Sequence, residues 1–230
     1  MPELIRVGHK GADAIVAGNT LASFDAALAV GVDMIELDVL AERADGSGEL
    51  YVVHDHAALA RHGAPSLEAA LAHLTAAEFD DVRLQIDLKR RGYEEQVVDA
   101  LEAAGALGRS MITTAEWASL VRVRARAPAL RIGWTVGVPL AGVPLAGPLT
   151  AHMFRSGLAR TAANRLRDGA IDALIPQWPL VTRRLVQAVH GAGGEIYAWT
   201  VDDPRMIRRL AELGVTGVIT NDPRLFAQLS

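Results

Sequence analysis

Met34-Ile-Glu-Leu-Asp-Val39, a polar link from Ala41 to Glu49, and Leu50-Tyr-Val-Val-His54 together decide the fold. The first and last segments are strand-like, rich in β-branched and apolar residues. The link holds Gly46 and Gly48 and has no room for a crossover helix, which a parallel partner needs over roughly a dozen residues or more. Leu50–His54 therefore returns antiparallel, as a hairpin extending the second strand. Outward from this pair, strand-like and helical runs alternate. Leu4–His9 precedes a helix that Asn19 or Thr20 caps and Gly31 closes. The later strands are Leu84–Lys89, Ser110–Thr114, Ile132–Val136, Ala173–Trp178, Ile196–Val201 and Gly217–Thr220, and Pro223–Leu229 reads as a final helix. With Leu50–His54 set apart, eight strands remain, each followed by a helix. That pattern predicts a closed (β/α)8 (TIM) barrel, with an antiparallel hairpin on its second strand and no sizeable insertion domain. A doubly wound open sheet is the rival, and no glycine-rich dinucleotide fingerprint follows the first strand to support it.

Composition narrows the function. The 230 residues are 50% hydrophobic and 22% charged, carry a net charge of −4 and include no cysteine. No linker is visible, so residues 1–230 are expected to form a single domain. Without cysteine there is no disulfide, thiolate nucleophile or sulfur-ligated metal. No apolar stretch approaches the roughly 18 residues of a membrane span, and Met1-Pro-Glu-Leu-Ile-Arg-Val7 lacks the pattern of a signal peptide. A soluble, cytoplasmic protein is expected. The mildly acidic balance argues against nucleic acid as a partner. One low-complexity stretch stands apart, the tandem repeat Gly137-Val-Pro-Leu-Ala-Gly142-Val-Pro-Leu-Ala-Gly147. It follows the fifth strand, reads as a tolerant loop on the C-terminal rim, and has an apolar, lipid-contacting flap as its sharper alternative.

Side chains two apart on a strand share a face. Ile35 and Leu37 are expected toward the helices, which sends Glu36 and Asp38 into the barrel mouth. Likewise Ile86 and Leu88 point one way, Asp87 and Lys89 the other. Carboxylates are seldom buried unless paired or bound to a metal. Three of them from neighbouring strands make an all-oxygen site suited to Mg²⁺ or Ca²⁺ rather than zinc. His9 and His54 end strands at the same mouth. Two histidines beside a metal and a cation such as Lys10 or Lys89 fit acid–base chemistry on a phosphate ester. His56, His62, His73, His152 and His190 have no such support and are read as surface or helix residues. Arg122, Arg124 and Arg126, with Arg205, Arg208 and Arg209, read as solvated helix charges. Trp134, Trp178 and Trp199 are all placed to face either the mouth or the core.

An ordered series of motifs then carries a resemblance. Gly8-His9-Lys10-Gly11, Asn19-Thr20-Leu-Ala-Ser-Phe24, Ile35-Glu36-Leu-Asp38-Val39 and Val52-Val53-His54-Asp55 come first. Pro65-Ser-Leu-Glu68, Gln85-Ile-Asp87-Leu-Lys89, Tyr197-Ala-Trp199-Thr200-Val201-Asp202 and Gly217-Val-Ile-Thr220-Asn-Asp222-Pro223 follow. Across nearly the whole chain this resembles the glycerophosphodiester phosphodiesterases. The resemblance implies a (β/α)8 barrel that cleaves a glycerol phosphodiester to glycerol 3-phosphate and an alcohol. It implies His9 and His54 as the acid–base pair and Glu36, Asp38 and Asp87 as holders of the divalent metal. Lys10 and Lys89 would contact the phosphate, Trp199 would line the substrate pocket, and Asp55 would support His54.

Three departures bear on substrate choice. Lys10 stands where the family usually has arginine, giving a point charge for a bidentate grip. Gly18 replaces a glutamate before Asn19-Thr20, removing a carboxylate expected near the metal. Asp87 is a methylene shorter than the usual glutamate; aspartate at that place also resembles the sphingomyelinase D-type enzymes. Nine residues separate Asp55 from Pro65, where the family usually carries an insertion that roofs part of the site. An open mouth is therefore expected, with lysophospholipids as alternative substrates and peripheral membrane contact as their consequence. Rival readings are another metal-dependent barrel enzyme on a sugar phosphate and a catalytically weakened binding barrel.

Overall fold

The structure, a computed structural model, describes residues 4–61, 63–137 and 147–229, the side chains of 147–156 excepted. Nine strands form one sheet: β1 (Ile5–Gly8), β2 (Met34–Ala41), β3 (Leu50–Val52), β4 (Arg83–Leu88), β5 (Ser110–Thr114), β6 (Arg131–Val136), β7 (Ala173–Pro176), β8 (Glu195–Ala198) and β9 (Gly217–Thr220). Eight run parallel in the order β1-β9-β8-β7-β6-β5-β4-β2, and a β1–β2 pairing closes the barrel. β3 lies outside it, antiparallel on β2 with Val39 opposite Val52 and Ala41 opposite Leu50. The short glycine-bearing link thus does what its length dictates.

The helices are α1 (Leu21–Val30), α2 (His56–Leu59), α3 (Leu67–Leu74), α4 (Glu94–Ala103), α5 (Trp117–Arg126), α6 (Gly147–Arg167), α7 (Arg183–His190) and α8 (Pro204–Leu213). Thr20 caps α1 through a reciprocal capping box with Ser23, and Gly31 ends it at φ 84°, a left-handed conformation that glycine adopts without strain. α6 begins at Gly147, the last residue of the tandem repeat. Pro148 falls in its first turn, where a missing N–H costs nothing because that donor has no intrahelical partner. Residues 223–229 wind as a 3₁₀ helix rather than an α-helix. Most of the tandem repeat, residues 138–146, lies outside the described residues, as do His62 and the side chain of His152.

Strand alternation divides the core in two. Ile35, Leu37, Leu84, Ile86, Ile112 and Ile132 face outward against the helices in the main cluster. Val7, Met34, Met111, Ala173, Ile175, Tyr197 and Ile219 fill the barrel itself. Tyr197 fits there because a Cβ on Gly217 would come within 2.6 Å of its ring. Each fully buried aliphatic side chain contributes roughly 1.5–3 kcal/mol, so the layered interior fixes the strands whose ends carry the site. Trp134 shares the outward face of Ile132. Its ring and that of Trp117 hold the Arg165 guanidinium at 3.9 and 3.6 Å; it therefore does not reach the mouth. Arg124 is likewise no simple solvated charge, since it bonds Asp172 at 2.7 Å while Asp172 accepts from the Ile132 N–H. Among the described residues no helix is long and apolar enough to cross a membrane.

Candidate active site

Turns at the C-terminal ends of β1, β2 and β4 build the mouth. β1 stops at Gly8, where a Cβ would lie 2.1 Å from the Gly11 carbonyl oxygen. Lys10 then takes φ 52° and Gly11 φ 87°, which aims the Lys10 N–H at Glu36 Oε2, 2.8 Å away. Asn19, at φ 59°, is held against Asp38 by two hydrogen bonds. Its Nδ2 donates to Asp38 Oδ2 at 2.8 Å, and its Oδ1 accepts from the Asp38 N–H at 3.1 Å.

The register pairs Glu36 with Gln85 and Asp38 with Asp87 across β2 and β4, so three carboxylates converge with oxygen atoms within 4.8 Å of one another. Glu36 and Asp38 are 3% and 0% exposed, and Asp87 is 9% exposed. Lys89 Nζ lies 2.5 Å from Asp38 Oδ1 and 2.6 Å from Asp87 Oδ2, with Lys10 Nζ 3.8 Å from Asp38. Thr113 donates to Asp87 Oδ1 at 2.8 Å, and Thr135 reaches the same oxygen at 3.3 Å. Burial and then the neighbouring Asp38 charge push Glu36 well above the usual carboxylate range. Burial acts the same way on Asp38, but Lys89, Lys10 and Asn19 outweigh it and hold that carboxyl low. Lys89 is buried too, yet its three acidic neighbours keep the ammonium charged more firmly than usual.

His9 follows β1 and turns its Nδ1 to Asn221 Oδ1, 2.6 Å away, and Asn221 is anchored through its Nδ2 and backbone N–H to Asp202 at 2.7 and 2.9 Å. The carboxamide oxygen can only accept, so Nδ1 carries the proton and Nε2 keeps its lone pair. Nε2 points to the carboxylates, 3.9 Å from Glu36 Oε2. Burial pushes His9 below its ordinary 6.5, against the opposing pull of Asn221 and Asp38. His54 is more open, and its Nδ1 lies 3.2 Å from Asp55 Oδ2. Asp55 also caps α2 by accepting from the Ala58 N–H.

Seven of the residues singled out in the sequence line one cavity of about 190 Å³: His9, Lys10, Glu36, His54, Asp87, Lys89 and Trp199. Asp38 touches it through Lys89, and Asp55 through His54. Trp199 stands across the barrel from β4, its Nε1 donating to the Ile175 carbonyl at 2.8 Å. Position 18 has no room for a glutamate in this backbone. A Cβ there would meet Asp13 Oδ1 at 2.6 Å and Lys10 Cβ at 2.7 Å. Trp178 sits in a separate groove with Pro179 and Met206. The sequence reading gave Asn19, Asn221, Asp202, Thr113 and Thr135 no role in the site; for the last four the available signal was their position near strand ends on the mouth side.

The donor set is oxygen only, buried and short of positive charge, and fits a hard divalent cation. Comparison with known proteins agrees with this picture. The family described as glycerophosphoryl diester phosphodiesterase matches residues 9–107 and 89–225. A glycerophosphodiester phosphodiesterase of Arabidopsis thaliana is 26% identical over 256 aligned residues, spanning 96% of this chain and 71% of that protein. Two solved structures share the fold. A phosphodiesterase of Oleispira antarctica, solved with the product sn-glycerol-3-phosphate, has a TM-score of 0.75 at 18% identity, covering 100% of this chain and 96% of that one. A glycerophosphodiester phosphodiesterase of Thermotoga maritima has a TM-score of 0.73 at 19% identity, with 100% of both chains covered. Motif order, barrel and mouth all lead to one assignment: this chain belongs to the glycerophosphoryl diester phosphodiesterase family.

Proposed function

We propose that this chain hydrolyses glycerophosphodiesters to glycerol 3-phosphate and an alcohol, with residues 1–230 acting as one catalytic domain. The observation that carries the reading is the meeting of His9, His54 and three close carboxylates at one cavity. Their charges explain the need for a metal. With Glu36 deprotonated, the three carboxylates outnumber Lys10 and Lys89, and an anionic phosphodiester would meet a net negative floor without a bound cation. Glu36, Asp38 and Asp87 would hold Mg²⁺ or Ca²⁺, which supplies Lewis-acid neutralisation of a non-bridging phosphate oxygen when bound.

The chain's own residues do the rest. Lys10 and Lys89 hold the phosphate by charge-assisted hydrogen bonds and offset the charge that grows in the transition state. His9 Nε2, favoured in its neutral form by burial and left with its lone pair by the tautomer that Asn221 fixes, takes the proton of the attacking hydroxyl. That hydroxyl belongs either to the substrate, giving a cyclic phosphate first, or to water. His54, oriented by Asp55, gives a proton to the leaving oxygen as the phosphorus–oxygen bond breaks. Trp199 shields one wall of the pocket. The cavity, about 190 Å³, is below the roughly 300–1,000 Å³ of drug-sized pockets and favours a small water-soluble diester over a lysophospholipid.

Phosphorus NMR tests the reading directly. Glycerophosphocholine, glycerophosphoethanolamine and lysophosphatidylcholine are incubated with protein in Mg²⁺, Ca²⁺ or chelator. Metal-dependent release of glycerol 3-phosphate is expected, and a transient cyclic phosphate would identify the substrate hydroxyl as nucleophile. No turnover of any diester would overturn the proposal.

A further inference from the structure

Beside the catalytic cavity lies a second one of about 600 Å³, and Lys89 belongs to both. Its other walls include Asp45, Arg90, Arg91, Glu116 and Arg122. Four cations thus face two carboxylates, on a chain whose net charge is −4. Lys89 is committed to Asp38 and Asp87, but acidic partners engage the three arginines only loosely. Arg91 lies 3.4 Å from Glu116 and Arg122 3.7 Å from Glu94, with both arginine side chains about two-thirds exposed. Among the described residues no carboxylate lies within ion-pair distance of Arg90.

The groove is also firmly built. The Tyr93 hydroxyl, in a side chain 1% exposed, accepts from the Lys89 and Arg90 N–H groups at 3.1 and 3.0 Å and donates to the Val39 carbonyl at 2.7 Å. Those three bonds fix the corner from which Lys89 points into one cavity and Arg90 lines the other. The opposite wall, at Gly46, packs so tightly on Gly92 that a Cβ would come within 2.9 Å of the Gly92 Cα. Gln96 Nε2 ties the same wall by donating to the Gly46 carbonyl at 3.4 Å.

We propose that this groove is the subsite for the leaving alcohol, and that it selects alcohols bearing a carboxylate or a second phosphate. The inference rests on the phosphodiesterase reading and extends it to the substrate class. A diester held on Lys89 has two directions open to its substituents. One is toward Trp199 and Ile175, apolar and uncharged; the other, diametrically across the sheet order at β4, continues into the groove. The glycerol half takes the first direction and the alcohol the second. A cationic head group such as choline would meet arginines there, whereas an anionic one would gain charge-assisted hydrogen bonds.

Glycerophosphoserine and glycerophosphoethanolamine make the sharpest test, because they differ only by one carboxylate. The ratio of kcat/KM, serine over ethanolamine, is measured at saturating Mg²⁺ for wild type, Arg90→Glu and the Arg90→Glu/Arg122→Glu pair. Wild type is expected to favour serine by about fivefold to tenfold, as one or two partly exposed ion pairs allow. That preference shrinks as salt rises. The ratio falls below one in the double variant and stays at the wild-type value in Arg205→Glu, an exposed change on α8 whose charge change equals that of Arg90→Glu. A wild-type ratio at or below one, or a ratio that ignores the groove variants, overturns the subsite while leaving the phosphodiesterase reading intact. Turnover of neither diester overturns that reading and the subsite with it.

Discussion

Replacing Asn221 by alanine isolates how the fold prepares His9. The wild-type carboxamide accepts from His9 Nδ1 at 2.6 Å and is itself tied to Asp202. Its removal has two calculable effects. The lost bond is worth about 1–1.5 kcal/mol, so kcat/KM falls about tenfold as the imidazole loses its fixed tautomer and aim. Asn221 also raises the His9 pKa. Without it, burial acts with less opposition, and His9 titrates still further below 6.5. Activity needs neutral His9 and is lost as pH falls through its pKa, so the acid limb of the pH profile moves to lower pH. Protein stability changes by less, about 0.5–1 kcal/mol, because Asp202 keeps the Thr220 hydroxyl and the residue 221 N–H. The assay is a pH profile of kcat/KM on glycerophosphoethanolamine, with urea unfolding as the stability control. An acid limb that moves upward, or an unchanged rate, would refute the assignment of Asn221 as the residue positioning His9.

Three further outcomes are expected. Tyr93→Phe removes a hydroxyl, pushed up to about 12 by burial, that satisfies Arg90 and Lys89; Lys89 keeps a second bond to Val39. Stability in urea should fall by about 1–2 kcal/mol, with a drop in kcat as Lys89 loses its footing; unchanged values for both would remove Tyr93 from the site's support. Gly18→Ala drives a Cβ onto Asp13 and Lys10 and should cost about 1–3 kcal/mol, partly recovered by adding Asp13→Ala, as calorimetric melting would report. In titration calorimetry, Mg²⁺ binding should release protons and tighten as pH rises. Glu36, with its pKa raised above 4.5, must lose its proton to act as a ligand. For the same reason Glu36 favours the metal-free fold at low pH, and that contribution fades as pH climbs from 4.5 through its native pKa. Binding independent of pH would show that Glu36 is not a ligand.

The period-two alternation of Met34–Val39 and Leu84–Lys89 was enough to read which carboxylates face inward, because strand geometry leaves no other choice. The barrel was equally legible, since the link before Leu50 is too short for anything but a hairpin. What escaped the reading lies in contacts between residues distant in sequence. His9 and Asn221 are 212 positions apart, and Tyr93 reaches back 54 positions to Val39. Asn19 was read as a possible cap, but its left-handed backbone turns the carboxamide onto Asp38. The outward face of Trp134 was readable, because Ile132 shares it two residues earlier. The start of α6 at Gly147 adjoins the tandem repeat, whose proline and glycine content speaks against a helix within the repeat itself.

The central claim is that His9, beside a metal proposed on Glu36, Asp38 and Asp87, acts in the hydrolysis of a phosphodiester, and one comparison tests it most directly. Wild type and His9→Ala are followed by phosphorus NMR on glycerophosphoethanolamine in Mg²⁺, each with its Mg²⁺ affinity measured. The account predicts release of glycerol 3-phosphate by wild type and a loss of roughly 10²–10⁴-fold in His9→Ala, with the metal still bound. Equal rates in the two proteins would contradict it.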